Sequence, residues 1–157
     1  GGLLGMKPDD MRIPDSFNVA KDEGMEFVIE NKDFKEAHPN TARIYMEAEG
    51  IPSMWVQAYS IGGGRIKVCK LDGIDVNFSG ESNTLIIRNV DEPGRVKDVS
   101  VALSDAQINI ATMQLFRDKK GGIAVMVVEI DEIIPQEVID NLVRKPGIIR
   151  VKFLSAN

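Results

Sequence analysis

His38 is the single histidine in this chain of 157 residues, and it stands in the run His38-Pro39-Asn40-Thr41. An imidazole is the one side chain whose ordinary pKa lets it carry protons near neutral pH. Pro39 has a fixed torsion and pushes the residue before it into an extended conformation. Asn40 and Thr41 can bond the local backbone and close a turn. Two readings stand side by side: a solvated corner of a loop, or a proton-handling group displayed on a rigid turn. No second histidine, cysteine or serine-plus-base arrangement can be assembled around it from this chain.

A second segment with chemical potential is Ser60-Ile61-Gly62-Gly63-Gly64-Arg65. Three consecutive glycines accept positive φ angles and let a partner approach the backbone closely. Ser60 and Arg65 flank them as polar handles. No G-x-G-x-x-G opens a helix here, and the Gly-Lys-Ser ending of a phosphate loop is missing. The plainer reading is a glycine-rich hairpin connection. The third segment is Asn89-Val90-Asp91-Glu92-Pro93-Gly94, where a strand runs through a loop into a helix. Unpaired N–H groups at a helix start suit a small carboxylate, although proline at a helix start is common in any case. Asn109, at the entry to the following strand, is a further candidate to hold an amino acid's charged groups. Cys69 is the only cysteine. One thiol makes no internal disulfide, zinc site or iron–sulfur cluster, and its alternation with Val68 and Lys70 points to a buried structural role.

These segments need elements to hold them. Residues 12–24 carry helix start and stop signals, with Phe17 and Ala20 facing inward, and "MEFVIE" (25–30) reads as a strand. "GGLLG" at the start reads as an element entered from upstream, so the chain is expected to be cut from a longer protein. From residue 42 the texture is β. "ARIYMEAE" places Ile44, Met46 and Ala48 on one face, and "SMWVQAYSI", "RIKVCKL" and "IDVNF" follow, the last two joined by Leu71-Asp72-Gly73, a tight-turn sequence. "SGESN" (79–83) is small and polar, as a linker should be. Beyond it the order is β-α-β-β-α-β. One helix carries Val96, Val99, Leu103 and Ala106 at helical spacing. A second opens at Pro135 and presents Val138, Ile139, Leu142 and Val143. Right-handed crossovers make this a ferredoxin-like half-sandwich, a four-stranded antiparallel sheet with two helices on one face. Its other face needs a cover. Met113, Leu115, Met126 and Val128 cannot all point at two helices, so some should meet the first half or a second copy.

The fold class expected is therefore α+β, with domains at 1–81 and 82–157. The net charge of −5 argues against a nucleic-acid binder. Residues 1–81 hold 9 Lys+Arg against 14 Asp+Glu and residues 82–157 hold 10 against 10, so the acidity lies in the first half. An RNA-binding ferredoxin-like module is disfavoured, since the second half has no aromatic strand platform and no basic excess. No apolar run is long enough for a membrane span and no basic-then-apolar leader is present, which makes the cytoplasm the expected compartment.

The D-x-P-G-x pattern, its helix and the following Ile108-Asn109-Ile110 together resemble the ACT domain, a small-molecule-sensing module of amino-acid metabolism. That resemblance covers residues 83–156. It implies pairing into homo-oligomers through this domain, and an effector held by Asn89, Asp91, Glu92, Pro93, Gly94 and Asn109 between the loop and a neighbour. Taken in order over the whole chain, "GGLLGMKPDDMRIPDS", "HPNTARI", "SIGGGRI" and the ACT pattern resemble the β chain of the bacterial iron–sulfur-dependent L-serine dehydratase. The first half would then be an N-terminally incomplete, partial α/β substrate-binding-type domain with antiparallel strands. The resemblance implies deamination of L-serine to pyruvate and ammonia, with a [4Fe–4S] cluster as Lewis acid. It puts the cluster's cysteines on the α chain, the expected partner, and not here. It makes His38, Asn40 and Thr41 candidates for the active-site interface, and Ser60, Gly62, Gly63 and Gly64 a close-approach loop for substrate. Serine sensing by the ACT half is also implied. The alternative is a non-catalytic amino-acid sensor, the regulatory region of a serine-pathway enzyme such as phosphoglycerate dehydrogenase, which the first half resembles at the level of fold.

Overall fold

A computed structural model describes residues 1–35 and 37–156. The chain divides into two compact units, residues 1–35 and 36–157.

The first unit holds short 3-10 turns at Gly2–Leu4 and Ile13–Asp15 and one helix, α1 (Ser16–Asp22). The apolar start is thus a single tight turn, ended by Gly5 in the left-handed region. Helix α1 forms where the capping signals place it. Ala20 is buried as expected, but Phe17 is 63% exposed and stacks on Phe27 at 5.1 Å. "MEFVIE" forms no strand. β-propensity needs a ladder to act on, and among the described residues none pairs with this segment; Val28 and Ile29 are exposed.

The second unit contains two four-stranded sheets. The first is a meander, β1 (Thr41–Ala48), β2 (Ile51–Gly62), β3 (Arg65–Leu71) and β4 (Ile74–Phe78), in sequential antiparallel order. Its turns follow from residue type. Gly63 and Gly64 have φ of 62° and 76°, and Asp72 and Gly73 have 47° and 88°. Positive φ at both central residues is the type I′ pattern, whose twist matches that of paired strands. A bulge at Cys69 re-phases β3, so that Val68 and Leu71 both face inward.

The second sheet is β5 (Asn83–Val90), β6 (Ile110–Arg117), β7 (Ile123–Ile130) and β8 (Ile148–Leu154), ordered β6-β7-β5-β8. Helices α2 (Arg95–Asp105) and α3 (Gln136–Val143) complete the β-α-β-β-α-β sequence. Both helices pack on one face around Leu85, Ile87, Val99, Leu103, Met126 and Leu142, all fully buried. Each such side chain contributes about 1.5–3 kcal/mol on leaving water. Gly94 caps α2 with φ 97°, a conformation that only glycine adopts freely. Pro135 is the cap of α3, in extended backbone, just outside its first turn. Val96 and Val143 are 44% and 46% exposed, so the buried stripes are narrower than their apolar spacing suggests.

The other face of this sheet is covered by the meander, as its composition demands. The residues that make the contact differ from those expected. Met113, Met126 and Val128 all face the helix side, and Leu115 is half exposed on the edge strand β6. Val125 and Val127 point the other way, against Val68, Leu71, Ile74, Val76 and Phe78. Successive strand residues alternate faces, so β7, apolar at both parities, is the strand buried on both sides.

Candidate functional site

The loop at His38–Asn40 leads directly into β1, and the register of β1 against β2 decides what it meets. Thr41 pairs with Tyr59, so the loop lies beside the end of β2. The Ser60 backbone N–H donates to the Asn40 carbonyl at 3.1 Å. The His38 ring stacks on Tyr59, with centroids 5.0 Å apart and planes 21° from parallel. Within the loop, the Asn40 N–H donates to His38 Nδ1 at 3.2 Å, and the Thr41 hydroxyl donates to the His38 carbonyl at 2.6 Å. An imidazole nitrogen that accepts a hydrogen bond carries no proton, so the neutral ring bears its proton on Nε2. His38, Asn40, Thr41 and Ser60 therefore share one end of the first sheet. Gly62, Gly63 and Gly64 continue it, and the Gly62 N–H donates to Ser60 Oγ at 3.4 Å. His38 and Asn40 are exposed there.

Such a site presents an N–H donor, hydroxyls and a glycine turn open to close approach, which suits binding and orienting a small polar molecule. Among the described residues no hydroxyl is hydrogen-bonded to the imidazole as a nucleophile would be to its base. Tyr59 is the member that sequence reasoning missed. Its signal was legible: Trp55, Gln57 and Tyr59 alternate along one face of β2. The same face carries Arg43, whose Nε and Nη2 donate to Gln57 Oε1 at 3.0 and 2.7 Å and whose guanidinium lies 4.6 Å over Trp55. Gln57 is only 5% exposed. It also donates to Cys69 Sγ at 3.6 Å, and that thiol, half-buried, donates to the Gln57 carbonyl at 3.4 Å. Among the described residues no group of three or more His, Cys, Asp and Glu is placed to hold a metal ion. One half-buried thiol does not suit an iron–sulfur cluster either, which needs several cysteine ligands.

The second candidate cluster lies on the other sheet. Asn89 is buried; its Nδ2 donates to the Val90 carbonyl at 2.7 Å, and its Oδ1 accepts no hydrogen bond. Asp91 Oδ2 accepts from the Gly121 N–H at 2.9 Å and from Arg117 Nη1 at 3.1 Å. Those two donors, the backbone N–H first, hold its carboxyl below the ordinary value of 3.8. The Asp91 charge is thus engaged by the β6–β7 turn. Glu92 and Pro93 are exposed, and Gly94 forms the cap described above. Asn109 does not join them. Asn83 and Ile110 both pair with Ile130, whereas Val90 pairs with Ile123. Asn109 therefore lies at the opposite end of the sheet, roughly seven strand residues or ~23 Å away. There its Nδ2 donates to Asp131 Oδ2 at 2.6 Å and its N–H to Glu132 Oε2 at 2.8 Å. The expectation that Asn109 lies beside the loop fails within one chain, because α2 carries the backbone the full length of the sheet before β6 begins. Among the described residues no helix is long and apolar enough to cross a membrane.

Comparison with known proteins fits this architecture. Residues 83–147 match the ACT domain family. A Bacillus subtilis (strain 168) protein named "Probable L-serine dehydratase, beta chain" is 31% identical over 151 residues, 96% of this chain and 68% of the relative. The "L-serine dehydratase, beta chain" of Peptoniphilus asaccharolyticus is 32% identical over 133 residues, 84% of this chain and 60% of the relative. A D-3-phosphoglycerate dehydrogenase of Methanocaldococcus jannaschii is 33% identical over 125 residues, 77% of this chain but only 23% of that enzyme. With two such β chains matched over most of its residues and an ACT domain in its second half, the chain belongs to the L-serine dehydratase β-chain family.

Proposed function

We propose that this chain serves as the β component of an L-serine dehydratase, supporting the deamination of L-serine to pyruvate and ammonia together with an α chain. The observation that carries the reading is the junction of two separate motifs. Residues 38–41 and 60–64 are joined by the Ser60-to-Asn40 hydrogen bond and the His38–Tyr59 stack, on an exposed sheet end. In this reading the end faces the α chain. His38 Nε2–H, the Thr41 hydroxyl and Ser60 orient the substrate by hydrogen bonding, and the Gly62–Gly64 turn lets it approach the backbone. Asn40 fixes the imidazole tautomer through its N–H. His38 is a hydrogen-bonding or relay group rather than the base that removes the α-proton. The [4Fe–4S] cluster expected for this chemistry has its ligands on the α chain. The test is reconstitution with that chain: pyruvate forms from L-serine only when both are present, and His38→Ala lowers turnover without unfolding the β component.

Serine sensing is the second part of the proposal. Asn89, Asp91 and Gly94 on one copy and Asn109 on another would form the effector site, since one chain separates them by the length of the sheet. The second half then pairs with a copy of itself. Calorimetry with L-serine tests this; a folded chain that gives no heat at millimolar serine counts against it.

A regulatory role within a phosphoglycerate dehydrogenase is favoured by one observation, the 33% identity with the M. jannaschii enzyme. The match spans less than a quarter of that protein, so it concerns a shared region. Failure of the chain to support serine deamination with any α chain would move the balance toward this reading.

A further inference from the structure

A cavity of about 430 Å³ opens between the two sheets of the second unit, at the other end of the β1–β2 ladder from the His38 loop. Its walls are apolar: Met54, Val56 and Phe78 from the meander, Ile86 and Val125 from the second sheet. Ile51 and Leu154 also line it and are 60% and 41% exposed. Neither of the candidate clusters described above contributes to it.

The charges around it are unusual. Arg88 and Arg150 are direct cross-strand neighbours on β5 and β8, and Lys152 lies two residues further along the same face. Like charges set directly opposite one another on a sheet repel, and their nearest neighbours on this face, Ile86 and Val125, are apolar. Arg88 is satisfied by Asp72, whose Oδ2 accepts from its Nη1 at 2.5 Å. Among the described residues Arg150 has no carboxylate partner, and it donates Nη2 to the Pro52 carbonyl at 3.2 Å. Among the described ion pairs none includes Arg150 or Lys152. With Asp72 and Glu47 also on the wall, three cations face two carboxylates, in a chain whose net charge is −5. A pocket of this volume, mostly apolar with a few convergent polar groups, is the usual form of a small-molecule site.

We infer that this cavity binds a small monocarboxylate with an apolar body. The carboxylate sits at Arg150 and Lys152, and the body lies along Met54, Val56 and Phe78. One cation in excess suits a single negative charge better than a phosphate ester, and the apolar walls exclude a ligand that is polar along its length.

Octanoate is a suitable probe, with 1-octanol as its uncharged counterpart, titrated calorimetrically into the full 157-residue chain. Octanoate is expected to bind saturably and about tenfold more tightly than 1-octanol, a difference of about 1.4 kcal/mol. Arg150→Gln combined with Lys152→Gln brings octanoate down to the level of the alcohol. Met54→Trp, which fills the cavity, abolishes binding of both. Circular dichroism checks folding, and if Met54→Trp does not fold, the double glutamine variant decides alone. The inference is overturned if octanoate does not saturate, if 1-octanol binds the native chain equally well, or if octanoate binds the double glutamine variant as it does the native chain.

Discussion

Asp72 ties three elements together, and removing its charge has a calculable cost. It sits in the left-handed region with φ 47° at the β3–β4 turn. Its Oδ1 accepts from the Trp55 N–H of β2 at 2.8 Å, and its Oδ2 accepts from Arg88 of β5 at 2.5 Å. The two charged side chains are 18% and 31% exposed, so water screens them only in part. Asp72→Asn keeps the left-handed turn, which asparagine tolerates, and keeps an acceptor for Trp55. It loses the ionic part of the Arg88 bond. Hydrogen bonds to charged groups are worth about 1.5–3 kcal/mol and neutral ones about 0.5–1.5, so the loss is about 1–2 kcal/mol. The unrelieved Arg88–Arg150 repulsion adds a few tenths. Asp72→Ala also forfeits the Trp55 bond and places alanine in the left-handed region, for a total of about 4 kcal/mol. Urea unfolding of Asp72→Asn, Arg88→Gln and the double variant measures the coupling directly. The structure predicts a coupling energy of about 1 kcal/mol or more. A coupling below about 0.3 kcal/mol, within the scatter of independent sites, would refute the argument that this pair joins the two sheets.

Two further outcomes are expected. Gly63→Ala destabilises the chain by about 1–2 kcal/mol in thermal melts, through its φ of 62° alone, since a Cβ there meets nothing within 4 Å; Gly63→Asn costs less, and equal costs would contradict the turn assignment. Asp91 is held below 3.8 chiefly by the Gly121 N–H and then Arg117, and Asp118 chiefly by the Ile123 N–H. Carboxyls with depressed folded values stabilise the fold above their unfolded pKa and lose that stabilisation as pH falls through the folded value. Amide protection in the β6–β7 turn should therefore fall as pH drops below about 4, and Asp91→Asn with Asp118→Asn should flatten that dependence.

Much of this fold was legible because local rules agree with one another. The turn residues at 63–64 and 72–73 name their own conformations, and the alternation of strand and helix periods from residue 83 onward gives the β-α-β-β-α-β order. The failures share a cause. "MEFVIE" has strand composition but no ladder among the described residues, and a strand is defined by its partner. Some of Met113, Leu115, Met126 and Val128 were expected on the face away from the helices, but parity alone cannot say which face of a doubly apolar strand meets which layer. The site was half legible. His38 and Ser60 stand out by residue type, whereas their joining depends on the Thr41–Tyr59 register, and Tyr59 as a stacking partner emerges only from it. Asn109 was misplaced because sequence adjacency to a helix end says nothing of how far that helix has travelled.

The central claim is that the surface built from residues 38–41 and 60–64 forms part of a serine-deaminating site shared with an α chain. Its most direct test is the steady-state rate of pyruvate formation from L-serine by the reconstituted pair, native against His38→Ala. Loss of a hydrogen bond to a charged substrate, about 1.5–3 kcal/mol, predicts a fall in kcat/KM of roughly ten- to a hundredfold, with the dichroism spectrum and the association of the two chains unchanged. Native rates from His38→Ala in an intact complex would contradict the account.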